Sequence, residues 1–415
     1  HWCIYAASVA THSRAAKKKN NMTNKHPNAS SPTDKLVGQS VKIAKKIAIQ
    51  IIRFRKMTSK ELIAHFNGNR FSSFCSLKTH NAEFFYGLEG SKSFLKLGEI
   101  LVSYRPELKG KVDIDKVVIA VKKSYAHQFI IDGRQIDYIT VKSMLDIAIA
   151  ELNLAFKKYT HYIPCIIFTH PSPDDFTLGP VKFTRTSAFL SSTLSEKWLD
   201  QVDDISLKQR TINYYKEYPW IASVDVESCD FDASFQIAVY ACTTAINTIR
   251  VCFGSEVTRM IRLSTEPSDE LMSAKIWSSS DGDLECSHSS TFKSPSGPLN
   301  WYEFLNEQDG GRIKAFFGEI IHQACALVDY SELSGRVVDS VNWFGDACRE
   351  KSTAASIVKY VTAIERLYMA SADFGVKERF ISRVSKILSD FELSSADNAR
   401  QDALRVYNLR STVVH

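Results

Sequence analysis

The sequence predicts an α+β protein, in which a mixed, sheet-containing N-terminal domain is followed by helices and a C-terminal all-α bundle. Short runs of β-branched and aromatic residues, bounded by Gly, Pro and Asp, fill much of residues 70–230 and indicate strands. Later in the chain, apolar residues recur at the spacing of amphipathic helices. With 415 residues, 44% hydrophobic and 24% charged, the composition is typical of a soluble protein of two or three domains.

Four segments follow from these patterns. Residues 1–36, rich in Asn, Ser, Pro and Lys, are expected to form a disordered basic arm. The first methionine is Met22, so we expect residues 1–21 to be upstream sequence that is not native. A secretory signal is the competing interpretation, but the apolar run near residues 4–10 is short and its charges follow it. The other segments are a mixed α/β sensor or regulatory domain (37–230), a helical connecting region (231–335) and a helical bundle (336–415).

Eight strands are predicted between residues 70 and 230. They are Glu83–Tyr86, Ile100–Tyr104, Val117–Val121, Phe129–Asp132, Ile136–Val141, Tyr162–Thr169, Val181–Phe189 and Ile221–Val226. Outside the bundle, helices are predicted over Val41–Phe54, Ser143–Lys157, Asp232–Phe253 and Trp301–Tyr330, with a loop over Ser287–Pro298. The first of these helices is basic, so it could contact phosphates or an anionic membrane surface, or pack on the protein with its lysines in water.

Positive charge is concentrated at the N-terminus. Residues 1–60 contain thirteen Lys and Arg and the single acidic residue Asp34. Subtracting them from 52 basic and 46 acidic residues leaves 39 and 45, a net charge of −6 for the rest of the chain. A mildly acidic body argues against a general attraction to nucleic acid, so an RNA site would have to be a local patch.

Cysteine usage and hydropathy predict a cytoplasmic protein. The nine cysteines show no Cys-x-x-Cys spacing and lie in apolar stretches, as reduced, buried thiols do. No apolar run reaches the roughly 18 residues that a membrane span needs, so no transmembrane segment is expected. Metal-ligand spacings and phosphate-cradling glycine loops are also missing, so neither a metal nor a cofactor is predicted.

The C-terminal bundle is predicted from four groups of apolar residues at helical spacing. These groups begin near Val341, Ile357, Phe380 and Ala399. The last helix also has a start signal, because Ser394 and Ser395 can accept hydrogen bonds from its first N–H groups. Asp397 adds negative charge where the helix dipole favours it.

Arg410 and His415, at the end of this helix, are the candidate catalytic residues. A guanidinium stays charged and can donate two N–H groups to a phosphate, whereas an imidazole can accept and return a proton near neutral pH. In RNA, such a base allows the 2′-hydroxyl to attack the adjacent phosphate without a metal. On an ideal helix the two residues lie about 140° apart, so we expect two helices to combine in a homodimer. A surface arginine and a terminal histidine with no catalytic task are the alternative interpretation.

The bundle resembles the HEPN domains, and among them the Apea-like HEPN group, over about residues 336–415. The resemblance rests on Val341-Asn342-Trp343-Phe344, on Val361-Thr362-Ala363-Ile364-Glu365-Arg366-Leu367, and on Leu404-Arg405-Val406-Tyr407-Asn408-Leu409-Arg410-Ser411-Thr412-Val413-Val414-His415. The last segment is the most specific of the three. Members of the family usually continue with a glycine, so the resemblance predicts a bundle truncated at its C-terminus.

The resemblance implies a metal-independent endoribonuclease in which Arg-x4-His segments of two subunits form a shared RNA cleft. It also implies a phage-defence, abortive-infection or toxin-type setting, with an antitoxin or trigger protein as a partner. Ser411, Tyr407 and Glu365 are candidates for orienting the arginine or contacting RNA. Two structural roles compete with these: a salt bridge within the bundle for Glu365, and core packing for Tyr407.

A non-catalytic function is the alternative. A HEPN-type dimerising module that binds RNA or a nucleotide would need the same bundle without a working histidine. In either case residues 37–230 are expected to act as a sensor or regulatory module, because no catalytic motif is found there.

Overall fold

The computed structural model describes residues 32–68, 75–79, 82–169, 173–192, 205–266, 272–278, 284–290, 295–328, 331–369, 375–391 and 393–414. The chain forms two compact units. One contains the described residues of 32–159 and 227–236, and the other those of 160–226 and 237–414. This division differs from the predicted boundaries, because it falls inside the segment 37–230. Strands and helices together confirm a mixed α+β composition.

The first unit is mainly helical. Its helices are α1 (Pro32–Arg55), α2 (Ser59–Gly68), α3 (Leu88–Tyr104), α4 (Ile114–Tyr125) and α5 (Tyr138–Ala155). A 3₁₀ turn (Pro106–Leu108) and a π-helical stretch (Ala126–Ile131) connect them, and strands β1 (Cys75–Lys78) and β2 (Glu83–Tyr86) form an antiparallel hairpin.

Four of the predicted strands in this unit are wrong. Ile100–Tyr104, Val117–Val121 and Ile136–Val141 lie wholly or largely in α3, α4 and the start of α5, while Phe129–Asp132 overlaps the π-helical stretch. Each of these runs is too short to show the periodicity of the helix that it overlaps. In α4, for example, Val117, Ala120, Val121 and Ser124 are all buried, which is the spacing of one helix face. Tertiary packing therefore overrides the strand propensity of valine and isoleucine.

The core of the first unit lies between α1, α3, α4 and α5. Phe94 of α3 packs against Tyr86 and Tyr125, with ring centroids 5.1 and 5.4 Å away. The Tyr125 hydroxyl donates a hydrogen bond to the backbone oxygen of Ala44 over 3.1 Å, which ties α4 to α1. The predicted helix Val41–Phe54 is confirmed within α1, and its buried residues, among them Ile47 and Ile51, face this core. The apolar face of α1 is therefore buried in the core of this unit.

The second unit contains a five-stranded sheet. Its strands are β3 (Lys157–Ile166), β4 (Asp175–Leu178), β5 (Val181–Arg185), β6 (Trp220–Cys229) and β7 (Arg262–Leu263), in the order β4-β5-β6-β3-β7. The pairs β4–β5, β5–β6 and β3–β7 are antiparallel. Strands predicted at Tyr162–Thr169 and Ile221–Val226 are confirmed over most of their length. The strand predicted over Val181–Phe189 ends at Arg185, where helix α6 (Thr186–Ser192) begins.

Further helices and a second hairpin complete the middle of the chain. They are α7 (Ile205–Lys216), α8 (Phe231–Phe253), α9 (Ser255–Thr258), α10 (Trp301–Asn306), α11 (Gln308–Cys325), β8 (Met272–Ser278) and β9 (Leu284–Ser290). The helix predicted from Asp232 is confirmed by α8. The segment predicted as one helix from Trp301 is interrupted at Glu307, whose backbone is extended, and the predicted loop overlaps β9.

Aromatic packing holds the sheet to these helices. Phe176 stacks on Phe183 at 4.7 Å and meets the edges of Trp220 and Trp301 at 5.4 and 5.3 Å. Both tryptophans are fully buried, and the Trp220 indole donates to the backbone oxygen of Phe168 over 3.0 Å. Such ring contacts add to the free energy of area burial by about 1 kcal/mol each.

Four helices at the end of the chain form the predicted bundle. They are α12 (Glu332–Arg349), α13 (Thr353–Tyr368), α14 (Val376–Asp390) and α15 (Ala396–Val414). Helix α13 packs on α12 and α15, and α14 packs on α15. The apolar core of the last three includes Val361, Phe380 and Ala403. The predicted start of the final helix is confirmed, since the Ser395 hydroxyl accepts from the Asn398 N–H at 3.4 Å.

Candidate functional site

Two helices of the bundle carry four of the predicted site residues. Helix α15 carries Tyr407, Arg410 and Ser411, and α13 carries Glu365. The helices pack because Val361 and Ala403 are buried between them, which fixes the faces they present to each other. Arg410 is half-buried and Ser411 is exposed. Val414 is the last described residue, so the predicted catalytic His415 lies outside the described residues.

Arg410 forms an ion pair with Glu365. Arg410 Nη1 lies 3.3 Å from Glu365 Oε1, and the two side chains are 31% and 16% exposed. Partial burial raises the pKa of Glu365 above its ordinary value, and the positive charge of Arg410 lowers it in part. The positive charge of Arg410 therefore offsets part of the effect of burial on this carboxylate.

The two side chains form an ion pair without a hydrogen bond between them. Glu365 Oε1 and the Nε atom of Arg410 are buried, and neither has a hydrogen-bond partner among the described residues. A guanidinium can donate five N–H groups in a fixed plane, so Arg410 retains donors beyond the one that faces Glu365. Chemically, it can still bind an anion while remaining attached to α13.

Tyr407 supports this arginine from its own helix. Its ring packs on Phe380 of α14, with centroids 5.3 Å apart, as the core-packing interpretation predicts. The Arg410 guanidinium lies 5.9 Å from the same ring, near the outer limit of a cation–π contact. Tyr407 therefore joins the bundle core and borders the charged pair.

A second polar cluster in the same unit escaped the sequence predictions. The Glu266 carboxylate receives Arg349 Nη1 at 3.2 Å and Arg250 Nη2 at 3.6 Å. Arg250 is fully buried and also hydrogen-bonds to Asn247, and the Asn247 amide donates to Asn342 over 2.9 Å. These residues come from distant segments, so no local spacing in the sequence could have indicated that they meet.

Two cavities lie in this unit, with volumes of about 440 and 480 Å³. The smaller is lined by Gly179, Gly318 and neighbours from α10 and α11. The larger lies near the polar cluster and is lined by Arg259, Arg262, Arg349 and residues at the start of α13. Both volumes fall in the range of small-molecule sites.

The described residues contain neither a metal-ligand group nor a membrane-spanning helix. Within those residues, no three His, Cys, Asp or Glu side chains are grouped so that they could hold a metal ion. None of the described helices has both the length and the apolar content needed to cross a bilayer. Seven cysteines have side chains that the structure describes; none of the seven is in a disulfide, and five of them are buried.

No protein-family model, curated protein or solved structure matches the chain.

Proposed function

We propose that residues 336–415 form a HEPN-like module and act as a metal-independent endoribonuclease. The observation that carries the proposal is the ion pair between Arg410 and Glu365, because it brings two residues of the resemblance together on adjacent helices. An isolated surface arginine would have no such support. In this proposal the residues before 336 sense a signal or regulate the nuclease, and the nuclease is the effector.

The proposed reaction uses only protein groups and the RNA itself. His415 removes the proton from a ribose 2′-hydroxyl, whose oxygen attacks the neighbouring phosphorus. The bond from phosphorus to the 5′-oxygen breaks, which leaves a 2′,3′-cyclic phosphate and a 5′-hydroxyl after that oxygen takes up a proton. Arg410 stabilises the negative charge that builds on the phosphate during attack. One proton leaves the 2′-hydroxyl and one is taken up by the 5′-oxygen, and no atom changes oxidation state, so the step balances without an oxidant or a reductant.

The remaining residues of the site have supporting roles in this proposal. Glu365 is a positioning residue, because its carboxylate fixes Arg410 against α13. Tyr407 restricts the same guanidinium from its own helix. Ser411 is exposed beside Arg410 and can donate a hydrogen bond to a phosphate or a ribose of bound RNA.

Homodimerisation is part of the proposal. A second copy of the chain would supply the histidine, because on an ideal helix positions 410 and 415 lie about 140° apart. Leu409 and Val413 are 44% and 38% exposed and lie four residues apart on one face of α15. An apolar pair of this kind favours packing against another helix.

The setting follows from the resemblance and is proposed with it. RNA cleavage that halts growth suits a cytoplasmic phage-defence, abortive-infection or toxin-type system. An antitoxin or a trigger protein would be the partner that restrains or releases the activity. The buried, unpaired thiols of the described chain support a reducing compartment.

The decisive experiment is RNA cleavage in EDTA by the full chain. We expect cyclic-phosphate ends from single-stranded RNA, and a loss of rate of about 100-fold or more in both Arg410→Ala and His415→Ala. Arg400→Ala is the matched control, since Arg400 is exposed on the same helix and should cleave normally. Cleavage that persists unchanged in both site variants would reject the assignment.

A non-catalytic binding module is the second candidate. It is favoured by the fact that Arg410 is already engaged by a carboxylate of its own bundle. In that case the protein would bind RNA or a nucleotide as a dimer without cutting RNA. RNA retention by the parent chain, lost in Arg410→Ala and accompanied by no cyclic-phosphate product, would select this function over the nuclease.

A further inference from the structure

The cavity beside the Arg349–Glu266 cluster is strongly cationic. Of its eight lining residues, five are Arg259, Arg262, Arg349, Lys351 and Lys359. Its two acidic residues are Asp346 and Glu350, so the lining carries a formal charge of +3. The underlying pair of Arg250 and Glu266 adds no net charge to this count. Five cations gathered around one cavity, in a part of the chain whose residues after 60 carry a net charge of −6, make that cavity an attractive place for an anion.

Both carboxylates of the lining are occupied by cations of the same lining. Asp346 receives Arg349 Nη2 at 2.5 Å, and Glu350 receives Lys359 Nζ at 2.7 Å. The hydrogen bond from Lys359 and those from the following backbone N–H groups lower the pKa of Glu350. Two of the five cations are therefore neutralised locally, and the positive excess resides on the others.

Arg262 is the decisive residue of the cavity. It lies on β7 and is only 8% exposed, yet it lines the open volume. No carboxylate of the described residues lies within ion-pair distance of its guanidinium. Burial raises the pKa of the nearby Tyr218 hydroxyl, and the charge of Arg262 lowers that pKa in part. A guanidinium that borders the cavity without a carboxylate partner can bind an anion there, and the anion supplies the missing counter-charge.

The size and chemistry of the cavity narrow the choice of anion. A volume of about 480 Å³ is larger than one phosphate requires, and it suits several linked groups. Arginines bind phosphate oxygens in a bidentate manner, and lysines add point charges to the same oxygens. Met260 is the one apolar side chain of the lining, which contains no aromatic ring for a base to stack on. The lining thus matches a polyphosphate chain better than a nucleobase.

We propose that this cavity binds a small molecule through two or three linked phosphate groups, with Arg262 as the central contact. The shared chemistry is the polyphosphate, which an inorganic ion or a nucleoside triphosphate could supply. The inference is independent of the proposed nuclease, because it uses neither Arg410 nor His415. The ligand would contact β7 together with the first two helices of the bundle, α12 and α13.

Calorimetric titration with tripolyphosphate, and in parallel with ATP, tests the site. We expect one ligand per chain and a dissociation constant that rises tenfold or more in Arg262→Gln. The same variant should keep its melting temperature without ligand, and it should lose the ligand-induced rise. An unchanged affinity in a folded Arg262→Gln protein, or no binding of either ligand at millimolar concentration, would overturn the proposal.

A rim variant keeps the test independent of buried substitutions. Arg259 and Lys351 are both exposed at the cavity, so Arg259→Gln with Lys351→Gln should fold normally and weaken tripolyphosphate binding about tenfold. The control replaces Lys386 and Arg400, two exposed cations of the bundle, with Gln and has the same net charge. Equal weakening in both double variants would indicate general electrostatics and reject the site. So would RNA that displaces tripolyphosphate more effectively than ATP does.

Discussion

Arg410 Nη1 lies 3.3 Å from Glu365 Oε1, and through this contact the last helix of the chain is joined electrostatically to a helix that begins more than forty residues earlier. Both side chains are less than one-third exposed. Charges in such a position are poorly screened by water, so each depends on the other.

Removing one partner should cost more than removing both. We expect Arg410→Ala to lower the free energy of unfolding by about 1–2 kcal/mol, because it leaves Glu365 half-buried without its cation. Adding Glu365→Gln should recover much of that loss. Urea unfolding of the wild type, both single variants and the double variant gives the coupling energy directly. Additive losses, with no recovery in the double variant, would show that the contact contributes nothing to stability.

The pH dependence of stability has a definite sign at Glu365. Its pKa is raised in the folded state by burial, so the native protein holds this proton more tightly than the unfolded chain. The free energy of unfolding contributed by this group therefore falls as pH rises from the ordinary carboxyl range through the raised folded pKa, and it is constant above. Glu365→Gln should remove that fall, and Arg410→Ala should extend it to higher pH. Unfolding curves between pH 4 and pH 7 would show both effects, and parallel curves for all three proteins would contradict them.

In the second polar cluster, removing the negative charge of Glu266 should lower the free energy of unfolding more than removing that of Asp346. It is the acidic partner of Arg250, which is fully buried, and of Arg349. We expect Glu266→Gln to destabilise the protein by about 3 kcal/mol, since a buried guanidinium loses its counter-charge. Asp346→Asn is the control, because Asp346 also contacts Arg349 but is 47% exposed, and its loss should cost about 0–1 kcal/mol. Similar losses in both variants would contradict the expected effect of burial.

The close approach of two glycines should tolerate no side chain. Gly179 has φ +58°, and a Cβ atom there would lie 2.5 Å from the Cα of Gly318. Gly179→Ala is expected to cost about 2–4 kcal/mol, from backbone strain together with a clash against backbone atoms. Gly254→Ala separates the two causes, because Gly254 has φ +77° and open space around it, and it should cost only about 1 kcal/mol. Thermal and urea unfolding would measure both, and equal costs would mean that the backbone moves to relieve the clash.

The sequence by itself determined those features that depend on residues close together along the chain. Apolar spacing located the bundle helices, and Ser395 located the start of α15, because a cap acts within one turn of its own helix. The same patterns failed for Ile100–Tyr104 and Val117–Val121, where β-branched runs lie in helices. A run of five residues cannot show its period, and the buried neighbours that select the helix come from elsewhere in the chain.

The tertiary structure decided which charges meet. Arg410 and Glu365 were both predicted as site residues, but nothing in their spacing showed that they form an ion pair. Glu266 and Arg262 carried no signal at all in the sequence, because a charge acquires its role from burial and from partners that distant segments supply. Local chemistry therefore fixed the helices and their caps, whereas desolvation and long-range contacts decided which charges are buried and paired.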